Sequence, residues 1–465
     1  MVDVEGLIQK AQQLERVLSS GASNKENILI ATHHDADGIC AAVLLADFIF
    51  RRGGHCQIRT TSEPNPKFLD KLKSARFDRL IFTDICSCLS PEIEKQFGDK
   101  WLIIDHHEIL DEEMDTERIL NPWQFDVDGS TQVSSSGLAY YITEKTQSPN
   151  SAFLAIVGAI SDRQDVGPRR SLVGINSKIL EEDSESLGSV DSRVDLLFWG
   201  KESRPAHESI ANTVSCYIPG LTGNKDACLA SLRGAGIDLK SGNRWKTISA
   251  FSEEEKQQLL ESVVPHLAGT TSTVEDLVGT VYSLKSADEY SVLRDARDAA
   301  TMLNACGRMG KPSLGVSLCF GSESIFSNGL EKVFTDYRNE LIRSVQNLMS
   351  SEERIQEKSG FILVVGDGVV SERMTGATCT AIASSSRVKN KVVFLRTTTF
   401  DGDVKVSARI GREVEDCNLG RAMMEVARAT SGVGGGHQNA AGARFSIVKQ
   451  QEFQVTVDEL FPNRK

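Results

Sequence analysis

The sequence predicts an α/β protein, with a parallel sheet in its N-terminal third, a smaller α/β lobe at its C-terminus and a mostly helical insertion between them. Strand-length apolar runs alternate with helix-like runs over residues 26–165, which is typical of parallel sheets with helical crossovers. The same alternation returns after Gly360. Between these parts, Gly and Ser separate short helical pieces, and the charged amphipathic stretch Leu330 to Lys358 predicts a long helix. Such a helix suits a spacer that joins the lobes, although a surface helix of one lobe would show the same pattern.

Polar residues follow the apolar segments of the N-terminal third. Asn27–Ile30, Arg79–Thr83 and Trp101–Ile104 predict strands, whereas Ser151–Ile160 predicts a buried helix or strand. The ligand-type residues after these segments are His33, Asp35, Asp37, Asp84, Asp105, His106, His107 and Asp162. Because the carboxyl ends of parallel strands meet at one edge of a sheet, we expect these side chains to form one site.

Carboxylate and imidazole ligands predict a divalent metal site. This combination suits manganese, iron, zinc or magnesium. The number of carboxylates is sufficient for two ions roughly 3.5–4 Å apart, an arrangement that orients a water and clamps a phosphoryl group. The ten cysteines are scattered singly, apart from Cys86-Ser-Cys88, and we interpret them as small buried side chains in a reducing compartment.

A second polar pattern lies near the C-terminus. Val404 to Ile410 predicts a strand, and the helix Leu419–Thr430 leads into a glycine loop that ends at His437. Glycines allow successive backbone N–H groups to converge on an anion. A flexible turn would use the same glycines, but the Asn-Ala-Ala-Gly that follows the histidine favours phosphate binding. The candidate substrate-binding residues here are Ser407, Arg409, Gly434, Gly435, Gly436 and His437.

These ordered motifs resemble the DHH phosphoesterase superfamily. Its N-terminal motifs are similar to His33-x-Asp35-x-Asp37-Gly38, Asp84, Asp105-His106-His107 and Asp162. Its DHH-associated C-terminal domain is similar to Ser407-Ala-Arg409 and Gly434-Gly-Gly-His437-x-x-Ala440-Ala-Gly442. Arg294 to Met302 predicts a helix, and Asn304-Ala-Cys-Gly-Arg308, which we expect to turn out of that helix, resembles an element of RecJ-type exonucleases. The whole chain most resembles archaeal RecJ-like single-strand exonucleases of the GINS-associated type.

The resemblance implies roles for the site residues. One ion would be held by His33, Asp35 and Asp84, and the second by Asp37, Asp84, His106 and Asp162. The implied catalytic residues are His107, Asp84 and Asp105. Asp84 would bridge the ions, Asp105 would orient a histidine, and His107 would face the scissile phosphate. Arg308 would contact a neighbouring nucleotide. The implied cofactor is a pair of Mn²⁺ ions, with Mg²⁺ as the alternative.

The resemblance also implies a function and partners. We expect a divalent-metal-dependent exonuclease of single-stranded nucleic acid, acting 5′-3′ on DNA in replication or repair. One alternative is a phosphodiesterase of short oligonucleotides or RNA acting 3′-5′, and another is a scaffold of the replication complex. The expected partners are single-stranded DNA or RNA and the GINS complex of the replicative helicase. Since every matched ligand is present, we favour retained chemistry.

The implied domain organisation divides the chain into four segments. They are a DHH catalytic domain (1–170), a helical insertion (171–289), the Asn-Ala-Cys-Gly-Arg element with the linker helix (290–358), and the DHH-associated domain (359–465). The insertion carries no carboxylate–histidine cluster, so we expect it to bind a partner or to shape a substrate channel. Within it, Ser252-Glu-Glu-Glu255 predicts a capping box that opens the helix Glu253–Leu260.

Charge and hydropathy exclude some classes of protein. The net charge of −12 excludes a general basic coat for DNA, so a nucleic-acid groove would need a local basic patch. The apolar runs of the sequence are too short to cross a bilayer. The polar N-terminal segment, Met1 to Arg16, does not resemble a signal peptide. We therefore expect a cytoplasmic protein with no membrane contact.

Overall fold

The computed structural model describes residues 2–109, 117–143, 150–214, 216–268, 273–288, 291–385, 388, 390–414 and 417–462. The chain forms two compact units. Unit 1 comprises Met1–Asp195 and Gly279–Phe334, and unit 2 comprises Leu196–Val278 and Thr335–Lys465. The four-segment division remains a prediction. Among the described helices, none has the length and apolar character that a membrane span requires.

The described helices alternate with strands at both ends of the chain. The helices are α1 (Val4–Ser23), α2 (Ala36–Arg51), α3 (Pro66–Leu72), α4 (Ser90–Phe97), α5 (Ser135–Ile142), α6 (Ser151–Ser161), α7 (Gly174–Glu185), α8 (Ala206–Asn212), α9 (Lys225–Gly234), α10 (Glu253–Leu267), α11 (Ala296–Arg308), α12 (Pro312–Cys319), α13 (Glu323–Met349), α14 (Thr375–Ala383), α15 (Leu419–Thr430) and α16 (Gln450–Leu460). The strands are β1 (Asn27–His33), β2 (His55–Thr61), β3 (Arg79–Thr83), β4 (Trp101–Ile104), β5 (Ile119–Leu120), β6 (Val190–Leu196), β7 (Lys240–Ser241), β8 (Arg244–Trp245), β9 (Val278–Leu284), β10 (Ile355–Glu357), β11 (Phe361–Val365), β12 (Val392–Thr398), β13 (Asp403–Ile410), β14 (Val433–His437) and β15 (Ala440–Ser446).

The sheet of unit 1 confirms the predicted parallel α/β fold. Its strand order is β2-β1-β3-β4-β5, and every neighbouring pair is parallel. Thr83 of β3 pairs with Thr32 of β1 on one side and with Ile104 of β4 on the other, so the three carboxyl ends lie side by side. β1 has β2 on one flank and β3 on the other. This is the topological switch at which open α/β sheets bind ligands.

Helices α2 and α6 form much of the core behind this edge. The segment that the sequence left open between helix and strand is helix α6, buried from Ser151 through Ile160. A helix that is apolar all round is typical of a buried position. At Gly158, a Cβ would collide with Ser136 Oγ and Asp37 Oδ1. Glycine therefore lets α6 pass directly beside a carboxylate of the predicted site.

The first part of unit 2, Leu196–Val278, has its own apolar core. Side chains of α8, α9 and α10 meet there, among them Ile210, Leu232 and Leu259. The capping box at Ser252 is present, as predicted. α10 continues to Leu267, beyond the predicted end at Leu260, because Val263 and Leu267 extend its buried face.

The second part of unit 2 contains the predicted smaller α/β lobe. Its sheet has the order β10-β11-β12-β13-β15-β14, and only β11 and β12 pair in parallel. The predicted long helix is α13, but it begins earlier than Leu330 and does not reach Lys358. Residues 355–357 instead form strand β10, since Ile355 pairs with Val364 at the sheet edge.

Candidate metal centre

The turn from β1 into α2 carries three of the predicted ligands. His33 ends β1, and Asp35 is the N-cap of α2, where its Oδ1 accepts a hydrogen bond from Gly38 N at 3.1 Å. Asp37 is fully buried. A Cβ on Gly38 would lie 2.6 Å from the carbonyl oxygen of His33. Glycine thus allows the tight turn that brings these side chains to one place.

The carboxylate of Asp37 is fixed by the start of helix α5. Its two oxygens accept hydrogen bonds from Ser135 N at 2.8 Å and Ser136 N at 2.9 Å. These are first-turn N–H groups, which have no partner within their own helix, and the helix dipole favours a negative charge there. The backbone of α5 therefore holds Asp37 in place by both of its oxygens.

Asp84 follows β3 in an unusual backbone conformation. Its φ is 62°, a left-handed value that only a small share of non-glycine residues adopt. Asp84 N donates to Ile104 O at 2.9 Å, and the side chain is 2% exposed. The surrounding structure therefore enforces a strained conformation, and such strain is concentrated at functional sites.

The side chains of the six predicted metal ligands lie together in two groups that share Asp84. In the first group, His33 Nδ1 lies 2.7 Å from Asp35 Oδ2 and 3.7 Å from Asp84 Oδ2. In the second, His106 Nε2 lies 3.3 Å from Asp84 Oδ1, 3.2 Å from Asp162 Oδ2 and 3.8 Å from Asp37 Oδ2. The potential ligand atoms of each group fall within 4.8 Å of one another. Asp84 turns one oxygen toward each group, which is the geometry of a bridging carboxylate.

Burial and, after it, repulsion between neighbouring carboxylates shift the pKa values of this cluster. Burial, together with the charges of Asp35, Asp37 and Asp162, raises the pKa of Asp84 well above its ordinary value. Burial also raises the pKa of Asp162 to about 6. Burial by itself would raise the pKa of Asp35, but the charge of the neighbouring His33 and its hydrogen bond outweigh burial and lower that pKa. Protons are therefore retained where acids crowd together, and divalent cations would relieve the same repulsion.

His106 is oriented as a metal ligand requires. Its Nδ1 lies 2.6 Å from Gly129 O. Because a carbonyl oxygen only accepts, Nδ1 carries the proton and Nε2 faces the carboxylates. Burial lowers the pKa of His106, but hydrogen bonds with Asp162 and Asp84 outweigh burial and raise it well above the ordinary value. The oxygen and imidazole donors thus fit a pair of divalent ions such as Mn²⁺ or Mg²⁺.

Asp105 and His107 form a hydrogen-bonded pair beside this cluster. Asp105 Oδ1 lies 2.7 Å from His107 Nδ1, and Asp105 Oδ2 accepts from Ser87 N at 3.1 Å. Burial raises the pKa of Asp105, but the charge of His107 outweighs burial and lowers it. The side chain of His107 is 37% exposed. Asp105 is therefore placed to orient an accessible imidazole, and the catalytic roles of both residues stay predictions.

A buried amide network that the sequence analysis missed supports His106. Gln164, fully buried, donates from Nε2 to Gly129 O at 2.9 Å and to Val133 O at 3.2 Å. Its Oε1 accepts from Asn176 Nδ2 at 2.6 Å. Gln164 therefore fixes the carbonyl that orients His106. A single glutamine within a basic segment carries no sequence signal for this role.

The structure corrects the expected conformation of the Asn-Ala-Cys-Gly-Arg element. Residues 304–308 were expected to turn out of a helix, but they form the last turn of α11. A Cβ on Gly307 would collide with the carbonyl oxygen of His34, so glycine lets this helical turn lie directly against the turn between β1 and α2. Arg308, the expected nucleotide contact, is half-buried at the end of α11.

The expected glycine loop of unit 2 is also different, since it is edge strand β14. Gly434, Gly435 and Gly436 pair with β15, and His437 pairs with Ala440. A Cβ on Gly434 would collide with Met423 O, and a Cβ on Gly420 would collide with Gly436 O. The glycines therefore let α15 pack directly on β14. Because neighbouring N–H groups of a strand point in opposite directions, the three glycines do not form the expected nest.

The other two predicted substrate residues lie on β13 of the same sheet. Ser407 is 6% exposed. Arg409 is half-buried, and its Nε donates to Thr380 Oγ1 at 2.9 Å. β13 lies between β12 and β15, so both residues have a rigid backbone. Their substrate-binding role, like that of His437, stays a prediction.

Three domain families match this chain. They are the DHH family, N-terminal domain, over residues 27–159, the DHH-CID domain over 198–278 and the DHHA1 domain over 359–463. An uncharacterized protein of Methanocaldococcus jannaschii is 26% identical over 476 residues, with 98% of both chains covered.

Solved structures share the fold at low sequence identity. CDC45 from Entamoeba histolytica matches with a TM-score of 0.62 at 14% identity, covering 98% of this chain and 99% of that one. RecJ from Thermus thermophilus, in complex with Mn²⁺, matches with a TM-score of 0.57 at 13% identity, covering 98% of this chain and 55% of that one. With its DHH, DHH-CID and DHHA1 domains, the chain therefore belongs to the DHH superfamily, and it shares its fold with RecJ.

Proposed function

We propose that this protein is a divalent-metal-dependent exonuclease of single-stranded nucleic acid, acting 5′-3′ on DNA in replication or repair. The observation that carries the proposal is the double ligand group with Asp84 between its halves. Such a group is typical of sites that hold two ions for in-line displacement at phosphorus. The fold shared with RecJ in complex with Mn²⁺ supports this proposal.

In this proposal His33, Asp35 and Asp84 hold one ion, and Asp37, Asp84, His106 and Asp162 hold the other. Two divalent cations, Mn²⁺ or alternatively Mg²⁺, would supply an activated water and would offset charge on the phosphodiester. The protein positions these ligands before substrate arrives, since backbone N–H groups already hold Asp37 and Gly129 already orients His106.

His107 would act on the substrate directly. Asp105 holds the Nδ1 of His107, and in this proposal the Nε2 of His107 contacts a non-bridging oxygen of the scissile phosphate. A hydrogen bond that strengthens as charge develops stabilises the transition state. Asp105 would keep the ring in this orientation.

Further residues would bind the nucleotide chain. We propose that Ser407, Arg409 and His437 bind a substrate phosphate, with the backbone of Gly434, Gly435 and Gly436 alongside, and that Arg308 contacts a neighbouring nucleotide. An arginine can make paired hydrogen bonds to phosphate oxygens. These contacts would supply the local positive charge that a chain with a net charge of −12 needs to hold a polyanion.

A degradation assay tests the proposal. Single strands of DNA and RNA, labelled at either end, are incubated with the full chain and with Mn²⁺, Mg²⁺ or EDTA. We expect loss of the 5′ label from DNA first, with Mn²⁺ and not with EDTA. Preferred 3′-5′ digestion of RNA or of very short oligonucleotides would instead support the phosphodiesterase alternative. Absence of any cleavage with Mn²⁺ bound would contradict the enzyme proposal.

A scaffold role is the second candidate, favoured by the full-length similarity to CDC45 and by the DHH-CID domain. The segment 171–289 would then bind a partner, proposed to be the GINS complex. Replacing residues 198–278 by a Gly/Ser linker should abolish partner capture in a pull-down, while the remaining protein still binds Mn²⁺. Capture at full strength by a folded, metal-binding truncated protein would contradict partner binding through residues 198–278.

A further inference from the structure

One amide side chain joins two ligand-bearing segments of the candidate metal centre. Asn304 lies in the last turns of α11. Its Oδ1 accepts a hydrogen bond from Ala36 N at 3.2 Å, and its Nδ2 donates to Ser161 Oγ at 3.1 Å. Since Ala36 N only donates, the orientation of this amide is determined. Both ends of the side chain are thus engaged with segments more than a hundred residues away in sequence.

Each partner of Asn304 is a direct neighbour of predicted ligands. Ala36 stands between Asp35 and Asp37 at the start of α2. Ser161 is the last residue of α6, and Asp162 is the C-cap that follows it. The first-turn N–H of Ala36 has no partner within α2, so Asn304 supplies one. The amide therefore sets the spacing between the loop that presents Asp35 and Asp37 and the helix end that presents Asp162.

Helix α11 is itself anchored on both sides of this contact. Toward its N-terminus, Arg297 Nη1 lies 2.8 Å from Asp165 Oδ2, and Arg297 Nη2 donates to Thr280 O at 3.1 Å. Toward its C-terminus, Gly307 approaches the carbonyl oxygen of His34 so closely that a Cβ would collide with it. Asn304 thus projects from a helix that is held at both ends, as a side chain that positions other residues must be.

We propose that Asn304 is a positioning residue that couples the two halves of the metal centre, and that its loss weakens binding of divalent cations. This inference rests on the metal site of the proposed function. A group that positions ligands through hydrogen bonds typically changes metal affinity by about 10–100-fold when it is removed. We expect the same range for Asn304→Ala, with both ions affected because its partners flank Asp35, Asp37 and Asp162.

The experiment measures Mn²⁺ binding by the full chain, with no substrate present. Metal-free wild type, Asn304→Ala, Ser161→Ala and the double variant are titrated with Mn²⁺ by calorimetry and by the loss of the EPR signal of aqueous Mn²⁺. We expect Asn304→Ala to raise the dissociation constant about 10–100-fold and Ser161→Ala to raise it less. The double variant should resemble Asn304→Ala alone, since both single changes break the same hydrogen bond.

Thr301→Ala is the matched control. Thr301 lies one turn earlier on α11 and is half-buried, but its hydroxyl donates only to Arg297 O within the helix. This variant should bind Mn²⁺ like the wild type. Circular dichroism and melting temperature identify variants that do not fold, and in that case Ser161→Ala, which retains the contact to Ala36, tests the coupling instead.

The outcomes separate this inference from the proposed function. A folded Asn304→Ala or Ser161→Ala protein that binds Mn²⁺ with wild-type affinity and stoichiometry would overturn the positioning role. A wild-type protein that binds two Mn²⁺ ions but cleaves no single strand would contradict the proposed exonuclease and leave the positioning role standing. Recovery of cleavage by Asn304→Ala at high Mn²⁺ concentration would support both, because a positioning defect is corrected by mass action.

Discussion

The candidate metal centre of unit 1 and the glycine strand of unit 2 were both predicted from sequence motifs to bind ligands, yet their structures differ. The carboxylates of the metal centre lie close together, and burial raises the pKa of Asp84 and Asp162. Such an arrangement costs folding free energy unless a ligand offsets the repulsion. Strand β14 shows no comparable conflict, since Gly434 is explained by the packing of α15 and Gly436 by the close approach of Ala440 and Ala441 in β15. Buried carboxylates that repel one another therefore support a binding function more strongly than the similarity of a motif does.

Among the variants that test this difference between the two regions, Asp84→Asn should have the largest effect. Loss of the bridging carboxylate should abolish Mn²⁺-dependent hydrolysis, because the two ligand groups share the negative charge of this one side chain. Asparagine tolerates the left-handed backbone, so the fold should persist. Because burial raises the pKa of Asp84 and so favours its neutral form in the metal-free protein, the neutral asparagine should leave the melting temperature of that protein equal or higher. Cleavage assays and calorimetric melting measure the two effects.

Asp126→Asn is the control for that variant. Asp126 has a φ of 55°, so the same exchange is made at another left-handed aspartate, one that is exposed and outside the ligand groups. It should cleave and melt like the wild type. Wild-type turnover by purified Asp84→Asn would refute the assignment of the metal centre.

The second prediction concerns pH. The folded, metal-free protein holds protons on groups whose pKa is raised, among them Asp162 with a pKa of about 6. These protons compete with metal, so the affinity for Mn²⁺ should fall as pH decreases through about 6, and binding near pH 6 should release protons. Calorimetry in buffers of different ionisation enthalpy measures the release. An affinity that is constant between about pH 5 and 8 would contradict it.

A third, smaller effect is expected at Gln164. Gln164→Met replaces the buried amide by an apolar chain of similar volume. We expect Mn²⁺ affinity to fall about 10–100-fold, because Gly129 O loses the donor that fixes it beside His106. The buried partners left without a hydrogen bond should lower the free energy of unfolding by about 1–3 kcal/mol. If the melting temperature falls while Mn²⁺ affinity stays the same, the network is structural only.

The smallest effects are expected on the glycine strand, where two variants separate packing from binding. Gly434→Ala should lower the melting temperature, because the added methyl group meets Met423 O. His437→Ala should leave the melting temperature unchanged and weaken the binding of single strands, measured by fluorescence anisotropy. Both should bind Mn²⁺ like the wild type. Equal single-strand affinity of His437→Ala and the wild type would leave β14 with a packing role alone.

The sequence by itself determined the parallel sheet, the resemblance to DHH proteins and the place of the ligand-type residues at strand ends. These depend on local features, because apolar runs of strand length, such as Arg79–Thr83 and Trp101–Ile104, are recognisable from the local sequence alone. The two turns at Asp35 and Asp84, which β1 and β3 bring side by side, illustrate this. The capping box at Ser252 is equally local.

Only the tertiary structure determined which residues hold the ligands of the site in place. It also determined the conformation of the two segments that were predicted wrongly. Gln164 acts through Gly129, and Asn304 acts through Ala36 and Ser161, so their contacts join residues distant in sequence. Gly307 lets the helical turn of residues 304–308 lie against His34, and residues 433–437 form a strand that pairs with β15 and packs on α15. Glycine has weak backbone preferences of its own, so its conformation is set by what packs against it.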